Sequence, residues 1–337
     1  MQYRALGKTG LAVSEVGFGC ARIGGVFQGS SRRQTLDLLR HAADEGINLF
    51  DTADMYTQGE SERLIGEAFR RDRHRVIIAT KFGFKLPAQK HIISRIKPLV
   101  KPLVVHLGLK PRHVHATVRG TVSQQDFSRQ YIFEAVESSL RRLQTEYIDI
   151  YQLHSPPTDV LQRAEFVEAL ESLRAQGKIR YWGVACEHAD DVLTSLRFAG
   201  LSTVQVGLSA LEQAALDSAI PRAAEEGVGI IARQVYASGL LTRPVDRLPA
   251  AHEIDADPVV GERKLAQIER FGALALEHRR DRAELALQFA LSVREIATVL
   301  LGVSRREQLD ASLHALQSAT LRPDEYRLIL NTRRVGR

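Results

Sequence analysis

Cysteine is almost missing from this sequence, with two residues, Cys20 and Cys186, in 337. That count excludes a disulfide scaffold and suits a reducing cytosol. No apolar run approaches the ~20 residues needed to cross a bilayer. The opening MQYRALGKTG has no apolar stretch of the signal-peptide kind, so a cytoplasmic protein without membrane contact is expected. No GxGxxG pattern follows the first strand-like run, so the usual Rossmann fingerprint is missing.

Positive charge is in formal excess, +6, but unevenly spread. Between Lys85 and Arg129 lie Lys90, Arg95, Lys97, Lys101, Lys110, Arg112 and Arg119, against the single acid Asp126. The segment has neither an aromatic RNA-binding signature nor a helix-turn-helix pattern, so no nucleic-acid partner is expected. A basic loop that is solvated, or that lies beside an anionic cofactor, accounts for it better. His113 and His115, with His91 and His106 nearby, lack carboxylate or cysteine partners and read as solvated, so no metal is expected.

Hydrophobic residues at 44% and charged residues at 26% are close to the averages of a globular protein. A chain of this length buries enough surface to fold without staples. Eight β-branched runs punctuate it: VGFGC (16–20), INLFD (47–51), RVIIATK (75–81), YIDIYQLH (147–154), IRYWGVA (179–185), TVQVGL (203–208), GIIARQ (229–234) and ATVLLG (297–302). Between them lie amphipathic stretches. In SRRQTLDLLRHAADEG (31–46), Leu36, Leu39, Ala42 and Ala43 share one face, and Gly46 suits a left-handed position just past a helix end. The same grammar ends at Gly177 after FVEALESLRAQ and at Gly227 after IPRAAEE.

Strand, helix, glycine, strand, repeated, predicts parallel pairing through crossover helices. Eight such strands predict an α/β fold of the (β/α)8 barrel type, one domain spanning 1–337. Two parts fall outside the repeat. YRALGKTGLAVSEVG reads as a hairpin turning at Gly7 to Gly10. The stretch from about 83 to 128 is too long for an ordinary loop after the third strand, and an insertion there would hang over the barrel mouth.

Four polar residues stand at or just beyond strand ends: Asp51, Tyr56, Lys81 and His154. In a parallel barrel these ends converge on one rim. A carbonyl that accepts hydride builds negative charge on oxygen and needs a proton donor beside it. An adjacent ammonium favours a phenolate and lowers the tyrosine pKa, and a carboxylate would anchor that ammonium. Asp51 would then hold Lys81, Lys81 would tune Tyr56, and His154 would orient the substrate oxygen.

Taken singly, each residue has an ordinary explanation. Asp51-Thr52 could cap the next helix, Lys81 could be solvated, and His154 could be a satisfied histidine before Pro156-Pro157. Trp182 and Cys186 read as core packing.

GINLFDTADMYTQGESERLIGEAF (46–69) resembles the signature of the aldo-keto reductase superfamily, with its Asp and Tyr in register. RVIIATKFG is similar to that family's lysine strand, SLRRLQTEYIDIYQLHSPP (139–157) to its histidine strand, and GKIRYWGVA (177–185) to the next block. The resemblance implies a catalytic tetrad of Asp51, Tyr56, Lys81 and His154 and an NADPH (NADP+) cofactor bound without a Rossmann domain. It also implies that Gln205 holds the nicotinamide carboxamide and that Arg233 stands where an aromatic often stacks on nicotinamide. LLGVSRREQLDASL (300–313) resembles the family's cofactor-phosphate block. There Gly302, Ser304 and Arg305 would cradle phosphate, while Gln308 and Ser312 would lie near adenine or ribose. An arginine fork suits a 2′-phosphate, which favours NADPH over NADH.

Three departures stand out: Ala185-Cys186 replaces the family's usual Ser-Asn pair, Arg233 replaces the stacking aromatic, and Ser312 stands where Asn is common. The expected function is NADPH-dependent reduction of an aldehyde or ketone to an alcohol by hydride transfer. The alternatives are a cofactor-binding regulatory protein on the same barrel and a lyase forming a Schiff base on Lys81.

Overall fold

The computed structural model describes residues 1–24, 30–85 and 124–334. The chain opens with an antiparallel pair, β1 (Tyr3–Ala5) and β2 (Ala12–Ser14), in which Arg4 faces Val13. Gly7 has φ +54°, and a Cβ there would lie 2.4 Å from the Gly229 nitrogen. No other residue fits that turn. The hairpin thus turns where the glycines predicted.

Eight parallel strands then close into a barrel: β3 (Val16–Gly19), β4 (Leu49–Asp51), β5 (Ile77–Phe82), β6 (Ile148–His154), β7 (Ile179–Ala185), β8 (Thr203–Gly207), β9 (Gly229–Arg233) and β10 (Ile296–Leu301). Every predicted run overlaps its strand, six of them containing it whole, while β5 runs one residue past 75–81 and β10 starts one residue before 297–302. β4, β5 and β10 are buried on both faces, so they read as continuous apolar runs rather than alternating ones.

The crossover helices carry their own start and stop signals. Ser31 caps the helix Arg32–Asp44, accepting from the Gln34 amide at 3.2 Å while the Gln34 side chain accepts from the Ser31 amide at 2.7 Å. Gly46 follows with φ +93°, as does Gly177 with φ +72° after Phe166–Ala175 and Gly227 with φ +71° after Ala219–Glu225. Asp257 and Asp281 cap Pro258–Glu277 and Arg282–Ser292 in the same way.

The described chain forms two compact units, one of Met1–Gly17, Cys186–Leu301 and Arg306–Arg337, the other of Phe18–Ala185 and Gly302–Arg305. In the first, β8 and β9 run in register from Thr203↔Gly229 to Gly207↔Arg233, and the Arg4 guanidinium donates to the carbonyls of Ile296 and Leu291 at 2.9 and 3.0 Å. In the second, Phe18 stacks on Phe50 and Phe82 on Tyr151, with ring centroids 5.8 and 4.6 Å apart. Trp182 is fully buried there, packs edge-on against Phe166 and donates its indole N–H to Glu171 at 2.7 Å. It is a packing residue, as its place inside a strand suggests. Cys186, in the first unit, is likewise buried, and burial pushes its thiol pKa up.

Of the 83–128 insertion, the ends are described: Phe84 bridges to Gln125, and Ser128 caps the helix Arg129–Leu143. The rest, with His91, His106, His113 and His115, lies outside the described residues. Among the described residues no helix is long and apolar enough to cross a membrane, and no group of side chains could hold a metal.

Candidate active site at the strand ends

Asp51, Tyr56, Lys81 and His154 all belong to the unit Phe18–Ala185, where the structure brings them together. Asp51 is the last residue of β4, and Lys81 is the fifth of six in β5. The Lys81 ammonium donates to both Asp51 carboxylate oxygens at 2.7 Å and to the Thr52 carbonyl at 2.8 Å. Three acceptors match the three N–H bonds of an ammonium. The two side chains are 1% and 5% exposed, so this is a buried, fully donated charge. The Asp51 carboxylate is therefore not a helix cap; Gly59, with φ +80°, precedes the helix Glu60–Phe69 instead.

The Lys81 nitrogen lies 5.2 Å from the Tyr56 ring centroid. His154, the last residue of β6, stands edge-on to Tyr56 with ring centroids 5.8 Å apart. The loop that presents Tyr56 is strained. Thr57, Gln58 and Gly59 follow with φ of 49°, 62° and 80°, and a β-branched residue rarely takes that conformation. Buried bonds hold the loop: the Thr52 and Ser61 hydroxyls are 2.8 Å apart, and Ser61 donates to the Cys20 carbonyl at 3.1 Å. Across the rim, Gln125 donates its side-chain amide to the carbonyls of His154 and Ser155 at 3.1 and 3.0 Å, and Phe84 stands edge-on to the His154 ring at 5.0 Å.

A second layer of polar groups lies beneath the rim. The Asp54 amide donates to the Lys81 carbonyl at 3.0 Å. Its carboxyl is buried, and one oxygen, Oδ1, has no hydrogen-bond partner among the described residues. Burial, reinforced by the Glu62 carboxylate, pushes its pKa up to about 8; Arg142, the Met55 amide and the Tyr131 hydroxyl offset part of that. Glu62, with no exposed surface, accepts from Thr80 at 2.7 Å and from Arg142 at 2.6 Å, tying the backbone next to Lys81 to two helices. Asp54, Glu62, Arg142 and Gln125 were not predicted. Asp54 and Glu62 sit inside the quoted 46–69 signature, but nothing in their spacing shows that they face inward.

The residues assigned to a cofactor fall in both units. Gly302, Ser304 and Arg305 are in the second. A Cβ at Gly302 would meet no atom within 4 Å, and Arg305 is exposed at the start of the helix Arg306–Leu316. Open backbone, a hydroxyl and a guanidinium form a donor set that suits phosphate oxygens. The other four are in the first unit. Gln205 is buried in the middle of β8. Arg233 ends β9, donates to the Cys186 carbonyl at 2.9 Å and pairs with Glu187 at 3.1 Å. Ser312 is buried, donates to the Gln308 carbonyl at 3.0 Å and lies 3.1 Å from the Tyr236 hydroxyl.

A closed (β/α)8 barrel whose strand ends gather a carboxylate, a lysine and a histidine beside a loop tyrosine defines a class of barrel enzymes. The chain belongs to the aldo/keto reductase family, whose family model matches residues 15–332, and it is an oxidoreductase of that family. It is 28% identical over 98% of its length to the uncharacterized oxidoreductase YqkF of Bacillus subtilis, covering 95% of that relative. It is also 28% identical, over 92% of both chains, to the NADH-specific methylglyoxal reductase of Escherichia coli. The holo form of aldo-keto reductase AKR11C1 from Bacillus halodurans superposes with a TM-score of 0.77 at 29% identity, over 98% of this chain and 96% of that one.

Proposed function

We propose that this protein reduces an aldehyde or ketone to an alcohol with NADPH, using Tyr56 as general acid. The observation that carries this reading is the Lys81 ammonium, fixed by Asp51 and Thr52 and lying 5.2 Å from the Tyr56 ring. A reduced nicotinamide, when bound, supplies the hydride. What the chain must supply is a proton and a place for developing negative charge.

Tyr56 donates its phenolic proton to the carbonyl oxygen and is left as phenolate. The positive charge of Lys81 favours that phenolate, and Asp51 keeps Lys81 protonated and in place. His154, edge-on to Tyr56, hydrogen-bonds the same carbonyl oxygen and sets its direction. An ammonium that already donates three bonds is a poor amine nucleophile, which weighs against a Schiff base on Lys81.

Gly302, Ser304 and Arg305 would hold the cofactor phosphates, with Arg305 reading the 2′-phosphate. Gln205 would hold the carboxamide. Arg233, Gln308 and Ser312 would complete the contacts to nicotinamide and adenosine. A relative named for NADH specificity makes the cofactor preference the point to measure.

The test is turnover of a carbonyl panel with NADPH and NADH, in the wild type and in Tyr56→Phe. The wild type should turn over with NADPH preferred, and Tyr56→Phe should lose about 10²–10⁴-fold in kcat with cofactor affinity nearly intact. Full activity in Tyr56→Phe, or absence of binding of either cofactor, sinks the proposal.

A further inference from the structure

The helices Arg32–Asp44, Glu60–Phe69 and Arg129–Leu143 contribute to a cleft of about 380 Å³. Arg32, Arg63, Ser138, Arg141, Arg142 and Gln144 line it. The lining holds four guanidinium groups, two neutral polar side chains and no carboxylate.

The acids that steady these arginines stand outside the lining. Glu62, fully buried, accepts from Arg142 Nε at 2.6 Å. Glu60 accepts from Arg32 at 2.5 Å, and Glu67 accepts from the same guanidinium. Arg63 comes no closer than 3.6 Å to Glu60. Arg141 donates to the Ser138 hydroxyl at 2.9 Å and pairs with no carboxylate among the described residues. A guanidinium has five N–H donors, and these contacts occupy at most two on each arginine. Even against Glu60, Glu62 and Glu67, the four arginines leave a positive excess.

Arg142 is built into its place. Its side chain is 18% exposed, held by Glu62 and by a bond of 3.1 Å to the Ser139 hydroxyl. It passes over Gly59, where a Cβ would come within 2.7 Å of its Cδ. The positive charge left over after Glu60, Glu62 and Glu67 are counted attracts an anion to this space. Planar forks favour an oxyanion that accepts two bonds from each, which is phosphate geometry. The volume falls in the range of small-molecule sites, ~300–1,000 Å³, which leaves room for more than one phosphate group.

We propose that this cleft binds a small phosphate-class polyanion, a pyrophosphate or a phosphorylated metabolite, with Arg142 as its fixed base and Arg63 and Arg141 as the outer clamps. None of the six lining residues is a proposed catalytic residue or a position assigned to the cofactor.

The experiment is calorimetric titration with pyrophosphate and with inorganic phosphate, in the wild type and in Arg63→Gln/Arg141→Gln. Arg142 is left intact because its removal would strand the buried Glu62 carboxylate. Pyrophosphate should bind the wild type more tightly than phosphate, with affinity falling as salt rises. The double variant should lose at least about tenfold in affinity. Ser138→Glu, which puts a carboxylate in place of the hydroxyl that Arg141 donates to, should weaken binding to a similar degree. NADPH binding, followed in parallel, should be the same in all three proteins.

Pyrophosphate affinity unchanged in the variants would place the anion elsewhere, as at Arg305, and overturn the proposal. So would no binding at millimolar concentration, a joint loss of pyrophosphate and NADPH, or binding of a polyglutamate peptide without binding of pyrophosphate. If the wild type binds pyrophosphate in this cleft but no nicotinamide cofactor, the reductase reading falls and the cleft stands.

Discussion

Lys81–Asp51 at the strand ends and Arg33–Asp37 on the helix Arg32–Asp44 are both pairs of a cation with a carboxylate, and they share little else. The first makes two bonds of 2.7 Å with side chains 1% and 5% exposed, and the Thr52 carbonyl takes the third proton of the ammonium. The second spans 3.9 Å with side chains 94% and 61% exposed. Buried, a charge is costly unless every bond it can make is made, and removing one partner leaves the other uncompensated. Exposed, water already solvates both ions, and their attraction is offset by side-chain entropy and screening. A charge kept inside the barrel at such cost fits the catalytic role proposed for Lys81, while one on the helix surface chiefly keeps that face wet.

The largest effect should come from breaking the inner pair. Lys81→Met leaves the Asp51 carboxylate buried and alone, which should cost about 3–5 kcal/mol of stability as well as turnover. Asp51→Leu/Lys81→Met removes both charges and should recover most of that stability with no return of activity. Urea denaturation read beside reductase rate separates the two effects. A Lys81→Met protein that unfolds at the wild-type midpoint would mean that Asp51 is not confined as described.

The next effect is one of pH. Asp54 is a carboxyl beneath the rim, facing Glu62 and Arg142, with its pKa pushed up to about 8 against an ordinary value of 3.8. In the folded state it binds a proton that the unfolded chain releases at lower pH. Its contribution to stability is therefore complete below about pH 4 and is lost as pH rises toward 8, with no further change above. Relaxation and water entry around an ionised Asp54 should hold the loss to about 2–3 kcal/mol. Asp54→Asn has no proton to lose. Chemical denaturation at pH 5 and pH 9 should show the wild type weakening over that interval and the variant weakening less. Equal losses in both proteins would mean that Asp54 is ionised at neutral pH.

Asp54 also marks where the sequence stops being readable. The eight strands and the glycines after three helices were legible because period, length and left-handed positions are properties of neighbouring residues. The approach of Lys81 to Asp51 was legible because a parallel barrel gathers strand ends, whatever the separation in sequence. Glu62 and Arg142 are 80 positions apart and meet only because two helices pack side by side, with Gly59 leaving room for the guanidinium. No local pattern encodes that. The same limit held for the loop at Tyr56, where consecutive left-handed residues Thr57 and Gln58 defy their own preferences and are held by bonds to other elements. The reading of Asp51-Thr52 as a cap followed local statistics, and it gave way because the carboxylate had a stronger partner across the sheet.

The smallest effect should come from the outer pair, and its smallness is the point. Asp37→Ala removes a carboxylate that Arg33 and Arg40 approach only to 3.9 Å, on a helix whose buried face is Leu36, Leu38, Leu39 and Ala42. Pairs of this kind contribute about 0.3–0.5 kcal/mol, and alanine returns a few tenths through its better helix propensity. The denaturation midpoint should therefore shift within error, in low salt and in high. A loss of more than about 1 kcal/mol would show that Asp37 is held by contacts other than these two arginines, and the contrast with the buried pair would then need a different account.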